Sequence, residues 1–438
     1  MKNPVIKALL ITFATCFMSL GLFSQTSYYI SSTGNNSNSG KSPGTPWRSL
    51  QKIEIGNTYL FHCNDTFYQK LSCNQSAGPD MGSQTNKDQK ITISSYGNGN
   101  KPVISLYKNI INKNWVNAGN NIWKVSLKNA ENYTGFKEVN TNVGFIKVDG
   151  IIFGNKTFSP DSLKSQWDFY CDDEYLFVYS NDDLSSSAKN IQAACNFVAI
   201  YLCNNMDVSN LTITGSGGHG IRGVNVKNIN LEKLDISEIG GSFLQGYGNG
   251  RIRYGNGVEF WNGSENCLIK GCKVSMVYDV AFTMQGNGPG THFLNVVFDD
   301  NISNNNEQSF EFWIKGNQPG FTACKFINNY CSNAGYGWSH DVRPVKNFAV
   351  FILNSELEAN DDDILIENNT FIKAKSAYFY MNSDLFEKKS QFITKNNKIE
   401  MEPGVPLIRR GRKIVINTLT DSLQENGFES GSHFSTPQ

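Results

Sequence analysis

Asn228-Ile-Asn-Leu-Glu-Lys-Leu-Asp-Ile236, Asn266-Cys-Leu-Ile-Lys-Gly-Cys-Lys-Val274, Asp363-Ile-Leu-Ile-Glu-Asn-Asn-Thr-Phe371 and Gln391-Phe-Ile-Thr-Lys-Asn-Asn-Lys-Ile399 are four versions of one phrase. Each alternates apolar and polar residues, turns on a Lys, Gly or Asn, and closes on an apolar anchor. Adding Ile213, Phe298 and Phe326 as further anchors gives intervals of 23, 38, 24, 28, 45 and 28 residues. A short minimum with longer variants is the signature of a solenoid of strands, one coil per repeat, with insertions in the loops. Leucine-rich repeats need a regular Leu frame and a helix per repeat, and neither is visible. The pattern predicts a parallel β-helix. Two places before each anchor stand Leu211, Leu234, Cys272, Val296, Cys324, Asn369 and Asn397. Stacked coils would bring these into one inward column, with Cys272 and Cys324 as small buried hydrophobes and the two Asn as a ladder of paired amides.

Composition agrees. The chain of 438 residues is only 18% charged but 12% aromatic, with 39 Gly. That is the profile of short strands and turns, not of helical bundles. Thirty-nine basic residues balance 39 acidic ones, so there is no electrostatic case for nucleic acid or an anionic membrane surface. Lys2, Lys7, the apolar run from Ala8 to Leu22 and small residues up to Ser24 read as an export signal over residues 1–24. No later run is long enough for a membrane span, so a secreted, periplasmic or cell-surface monomer is expected. Cys267-x4-Cys272 and Cys324-x6-Cys331 lack matching partners, so zinc is not expected. Asp361-Asp-Asp363 offers oxygen ligands for calcium, but an acidic turn before a strand has the same sequence. No other cofactor is indicated.

Residues 25–106 read as a cap and first coils, with a short helix expected near Pro46. Residues 107–190 break the rhythm. Phe145–Val148 and Ile151–Phe153 around Asp149-Gly150 give a strong hairpin signal, and an inserted antiparallel β-module is expected there. The coils resume near Ile191 and run to Ile416, followed by a loose polar tail over 417–438. Tyr28-Tyr-Ile-Ser-Ser-Thr-Gly-Asn-Asn-Ser-Asn-Ser-Gly40 with Thr45-Pro-Trp-Arg-Ser-Leu50 resembles the opening of many secreted right-handed β-helix proteins. Gly257-Val-Glu-Phe-Trp261 and Gly335-Tyr-Gly-Trp-Ser-His-Asp-Val-Arg-Pro344 resemble segments of the same bacterial group. The resemblance implies a right-handed helix of the pectate-lyase kind, a fold that hosts polysaccharide lyases and glycoside hydrolases. Its motifs are not specific for one reaction.

Chemistry is expected where Gly257-Val-Glu-Phe-Trp261 is echoed by Ser309-Phe-Glu-Phe-Trp313. Glu259 lies 15 residues before Val274, and Glu311 lies 15 before Phe326. The two carboxylates should share a column with one coil between them, at Ala281 or Thr283. Two rungs correspond to about 9–10 Å, near the roughly 6.5–9.5 Å of inverting glycosidase pairs. Trp261 and Trp313 would wall a sugar groove. Asp279 is the reserve acid. His219 and His340 flank the groove one coil to either side, His340 accompanied by Arg343. The loop 240–256 brings Arg251, Arg253 and Tyr254, candidates for a substrate carboxylate. A glycoside hydrolase acting on a polysaccharide is favoured. A lyase using His340, Tyr254, Arg343 or Arg253 is the first rival, and a non-catalytic glycan-binding adhesin the second.

Overall fold

The computed structural model describes residues 25–50, 53–73, 89–316, 318–354, 361–381, 393–411, 414–417 and 428–436. The expected export signal lies outside the described residues.

From Ile200 onward the chain winds as a right-handed parallel β-helix with three strand ladders. The first face stacks Ile200–Tyr201, the start of Ile221–Glu232, the start of Val258–Lys270, Val280–Gly286, Gln308–Ile314, Val350–Asn354, Ala377–Met381 and Ile408–Arg410. The second stacks Met206–Ser209, the ends of the two long strands, His292–Asp299, Gly320–Ile327, Asp361–Glu367 and Ile393–Lys395. The third runs from Thr212–Ser216 through Asp235–Ile239, Lys273–Val277, Ile302–Asn304, Tyr330–Ala334 and Thr370–Ala374 to Lys398–Glu400. Alternation does the sorting. On the first face Ile221, Val258, Phe282, Phe310, Ile352 and Phe379 point inward and stack in register. Their neighbours Arg222, Glu259, Thr283 and Glu311 form the adjacent column on the other side of the sheet.

The repeat anchors need correction. Ile213, Ile236 and Val274 do stack, but the next rungs of that ladder are Ser303 and Cys331, followed by Phe371 and Ile399. Phe298 and Phe326 belong to the second face, above Ile269. The inward column two residues earlier is therefore Cys272, Asn301, Asn329, Asn369 and Asn397. Each Asn Oδ1 accepts the backbone N–H one coil below, from Cys272, Asn301, Asn329 and Asn369 in turn, at 2.8–2.9 Å. The amide ladder is thus four residues long. It sits just after a corner held in the left-handed region by Gly271, Asp300, Asn328, Asn368 and Asn396, where only Gly, Asn and Asp fit at low cost. Cys272 and Cys324 are both buried, as expected, but on different faces.

The inserted module is present and antiparallel. Val143–Val148 pairs with Ile151–Phe153 across Asp149-Gly150, both with positive φ. Trp115, Trp123 and Trp167 fill its core. Ile191–Cys195 belongs to the module's sheet, so the coils resume at Ile200 rather than at Ile191. No helix forms over 42–50; Trp47 instead bridges to Ile30 and stacks on Tyr28 at 4.5 Å. The expected loose tail carries a further rung: Phe428–Ser430 pairs with Ile393–Lys395, and His433–Ser435 with Lys398–Glu400. A disulfide, Cys73–Cys203, ties the coil before the inserted module, whose Leu71–Ser72 pairs with Ile200–Tyr201, to the coil after it. No helix of the described residues is long and apolar enough to cross a membrane.

Candidate active site

The first face places Arg222, Glu259, Thr283 and Glu311 on consecutive rungs, so the two glutamates are two rungs apart with Thr283 between. The fifteen-residue count reaches this answer through compensating lengths. In the later coil a longer turn after Ile314 offsets the five residues from Phe326 to Cys331.

Glu259 is 3% exposed, and its carboxylate is held by polar partners. Oε1 accepts from Arg222 Nε at 2.9 Å, and Oε2 accepts from Asn256 Nδ2 at 2.8 Å. His219 Nδ1 lies 3.0 Å from Oε2 and also accepts the Asn256 backbone N–H at 3.1 Å. Nδ1 carries either a lone pair or a proton, so it cannot accept the Asn256 N–H and donate to Oε2 at once. Burial, opposed by Glu259 and assisted by Arg222, pushes His219 down to about 4, so its ring is neutral near pH 7. The ring is delivered by a crowded Gly-Gly-His-Gly turn: a Cβ on Gly218 would meet the Phe197 carbonyl at 2.4 Å.

Glu311 is the contrast. Its Oε2 accepts from Gln285 Nε2 at 2.5 Å and Thr283 Oγ1 at 3.3 Å, and among the described residues no cation pairs with it directly. Desolvation first, then the charges of Asp279 and Glu259, hold its carboxyl well above the usual range, against the pull of the Thr283 hydroxyl and Arg343. Asp279, on the turn entering Val280–Gly286, is likewise raised by burial, by Glu307 and by Glu259, although Arg343 opposes this with a 2.6 Å bond to Oδ1. Its side chain is 26% exposed. Three carboxyl groups from successive coils thus feel one another's charge.

Trp261 and Trp313 meet edge to face at 5.6 Å over the Gln285 rung, so they form one aromatic ridge rather than two separate walls. Tyr254 joins the cluster. Its ring lies 5.0 Å from His219, and its hydroxyl donates to Asn196 at 2.6 Å; burial pushes it up to about 12. His340 sits behind the acids on the helix Trp338–Val342, with Nδ1 3.2 Å from fully buried Glu307. Arg343 links that pair to Asp279 and stacks on Tyr278 at 4.4 Å.

Two predicted residues lie elsewhere. Arg253 donates to the carbonyls of Gly241, Gly154 and Gly144 and clamps the inserted module to the loop. Arg251 stacks on Phe158 at 5.0 Å. Sequence reasoning missed Arg222, Asn256 and Glu307. Arg222 was legible: Gly220-Ile-Arg-Gly-Val224 occupies the frame of Gly257-Val-Glu-Phe-Trp261 one coil earlier. Among the described residues no cluster of three His, Cys, Asp or Glu is arranged to hold a metal. In the Asp361-Asp-Asp363 run, Asp363 Oδ2 accepts the Ala323 N–H at 3.0 Å.

No protein-family model and no curated protein matches the chain. Solved structures do. The complex of XylC with xylose is 10% identical, with a TM-score of 0.51 over 93% of this chain and 82% of that one. A GH136 lacto-N-biosidase from Eubacterium ramulus is 13% identical, with a TM-score of 0.38 over 94% and 67%. A rhamnogalacturonan lyase is 11% identical, with a TM-score of 0.39 over 90% and 87%. At such identities the likeness concerns architecture alone. The chain has the right-handed parallel β-helix fold that its repeats and N-terminal segment resemble.

Proposed function

We propose that this protein is an exported carbohydrate-active enzyme, a glycoside hydrolase that works on a polysaccharide laid along the first face. The observation that carries the reading is the unequal treatment of its acids. Glu259 is gripped by Arg222 and Asn256, whereas burial and the neighbouring acids raise the Glu311 carboxyl well above the usual range. A carboxyl raised by burial in this way suits the role of acid, and a carboxylate held by a guanidinium and an amide suits that of base. Glu311 is the proton donor to the leaving oxygen, and Glu259 activates water, with Asp279 beside the path. The two-rung separation of about 9–10 Å between backbones leaves room for that water and favours inversion. The Trp261–Trp313 ridge supplies an apolar surface for sugar rings, and sugar is what the XylC neighbour holds. The Cys73–Cys203 disulfide supports an oxidising compartment.

The lyase reading has weaker supports. Its base would be Tyr254, which burial keeps protonated, or His340, whose nitrogen faces Glu307. Glu311→Gln should lower turnover about 10²–10⁴-fold on natural linkages, the usual worth of a positioned acid. It should cost far less on an aryl glycoside whose leaving group needs no proton. Glu259→Gln should be impaired on both. Near-normal activity in both variants with a dead His340→Ala would overturn the assignment. Unsaturated uronide products would make the enzyme a lyase, and no product from any polysaccharide would leave a binder.

A further inference from the structure

A second concavity lies between the inserted module and the loop 240–256, away from the acids. It measures about 630 Å³, within the usual span of small-molecule sites, and is lined by Lys156, Tyr170, Cys171, Phe243 and Gln245 among others. Lys156 is 8% exposed. Its ammonium donates to Asn142 Oδ1 at 2.7 Å and sits 3.9 Å over the Phe243 ring, which stacks on Phe158. Asn142 is otherwise occupied, since its Oδ1 also takes the Phe243 N–H and its Nδ2 donates to the Phe243 carbonyl. A buried cation with three donors has one neutral acceptor among the described residues. Lys108, equally enclosed, has two carbonyls and a Tyr ring. Leaving a buried charge so poorly matched is costly unless an anion completes it.

Among the described residues, the groups around Lys156 provide no such anion. Cys171 and Cys195 are thiols raised by burial, and Arg253 repels it. Of the acids at the rim, Asp172 turns Oδ1 to the N–H groups of Glu174 and Tyr175, and Asp173 is exposed, as is Lys128. Burial lowers Lys156 to about 7. A bound carboxylate would raise it again.

We propose that this pocket is a second, non-catalytic binding site for a carboxylate-bearing sugar unit, with the Lys156 ammonium pairing with the carboxylate and Thr141, Tyr170 and Gln245 lining the space for its hydroxyls. The site does not depend on the assignment of the acids, and its test is independent of turnover. At pH 7 a small amine-reactive reagent should modify Lys156, identified by its peptide mass. Glucuronate or galacturonate should slow that modification at least tenfold, while glucose and galactose leave it unchanged. Uronate affinity should fall as pH rises above 7, about tenfold per unit, because the ammonium is then lost. Lys156→Met should lose at least tenfold in uronate affinity, and the protection assay on the unaltered protein stands if that variant does not fold. Failure of both uronates to protect Lys156, equal protection by the parent sugars, or unchanged affinity in a folded Lys156→Met would overturn the proposal.

Discussion

Replacing Asn329 with Ala removes the middle of the amide ladder. Its Oδ1 accepts both the backbone N–H and the side-chain amide of Asn301, at 2.9 and 3.0 Å, and its Nδ2 donates to the Phe298 carbonyl and to Asn369 Oδ1, each at 3.1 Å. Asn369 Oδ1 keeps the backbone N–H of residue 329, so its loss is partial. The Asn301 backbone N–H and one of its amide hydrogens are left without an acceptor in a site that is 1% exposed. A buried donor without a partner costs about 1–3 kcal/mol, so the two together cost about 2–6 kcal/mol. Urea unfolding followed by far-ultraviolet circular dichroism should show this as a lower midpoint. Exposed Lys325 replaced by Ala is the control and should stay within about 0.5 kcal/mol. A loss below about 1 kcal/mol in Asn329→Ala would show that the ladder is dispensable and refute its assignment as the organiser of the corner.

Three other outcomes are expected. Thr283→Val removes a hydrogen bond that lowers the Glu311 carboxyl, so Glu311 should stay protonated to higher pH and the alkaline limb of the activity profile should move up; an unmoved or falling limb counts against Glu311 as the acid. Because that carboxyl is raised on folding, its contribution to stability is present at low pH and is lost as pH rises from the unfolded value toward the folded one. Glu311→Gln should therefore melt no lower than the parent at pH 7, with the difference shrinking near pH 4, as scanning calorimetry would show. Reduction should break the Cys73–Cys203 link across a separation of 130 residues, worth about 4–5 kcal/mol by chain entropy alone, while Cys272 and Cys324 should react with thiol reagents only in denaturant.

What the sequence made legible follows from what is local. Alternation fixed the sides of Glu259 and Trp261, and the echo at Ser309–Trp313 fixed their register, because both depend only on a strand's period of two. The solenoid was readable from its corners. Anchoring on apolar residues alone failed at Ser303 and Cys331, where a polar or small side chain fills the inward position and a nearby Phe of another face has the expected look. Lys156 and Glu307 drew no reading at all, and Arg253 was assigned to substrate when it clamps backbone carbonyls instead. Their burial comes from the inserted module and the helix Trp338–Val342 docking onto the coils, and no local pattern encodes such a contact. The missing helix at Pro46 is of the same kind: Trp47 finds a better partner in Tyr28 than a helical turn offers.

The amide ladder also bears on how long such a chain can become. Every rung from Asn301 to Asn369 offers the coil below what it receives from the coil above, and only Asn397 is closed off differently, by Ser432 and Glu429, so a whole coil added or removed between Asn369 and Asn397 would rejoin matching amides. That change lies beyond Glu311 and leaves the spacing of the carboxyl groups alone. A coil added between Glu259 and Glu311 would instead move them apart by one strand spacing, about 4.8 Å, out of reach of a single glycosidic bond. On the proposed function, groove length can thus drift in steps of one rung at one end of the molecule while the acids stay fixed at the other, and the number of sugar units spanned becomes an integer that descent can adjust without touching the reaction.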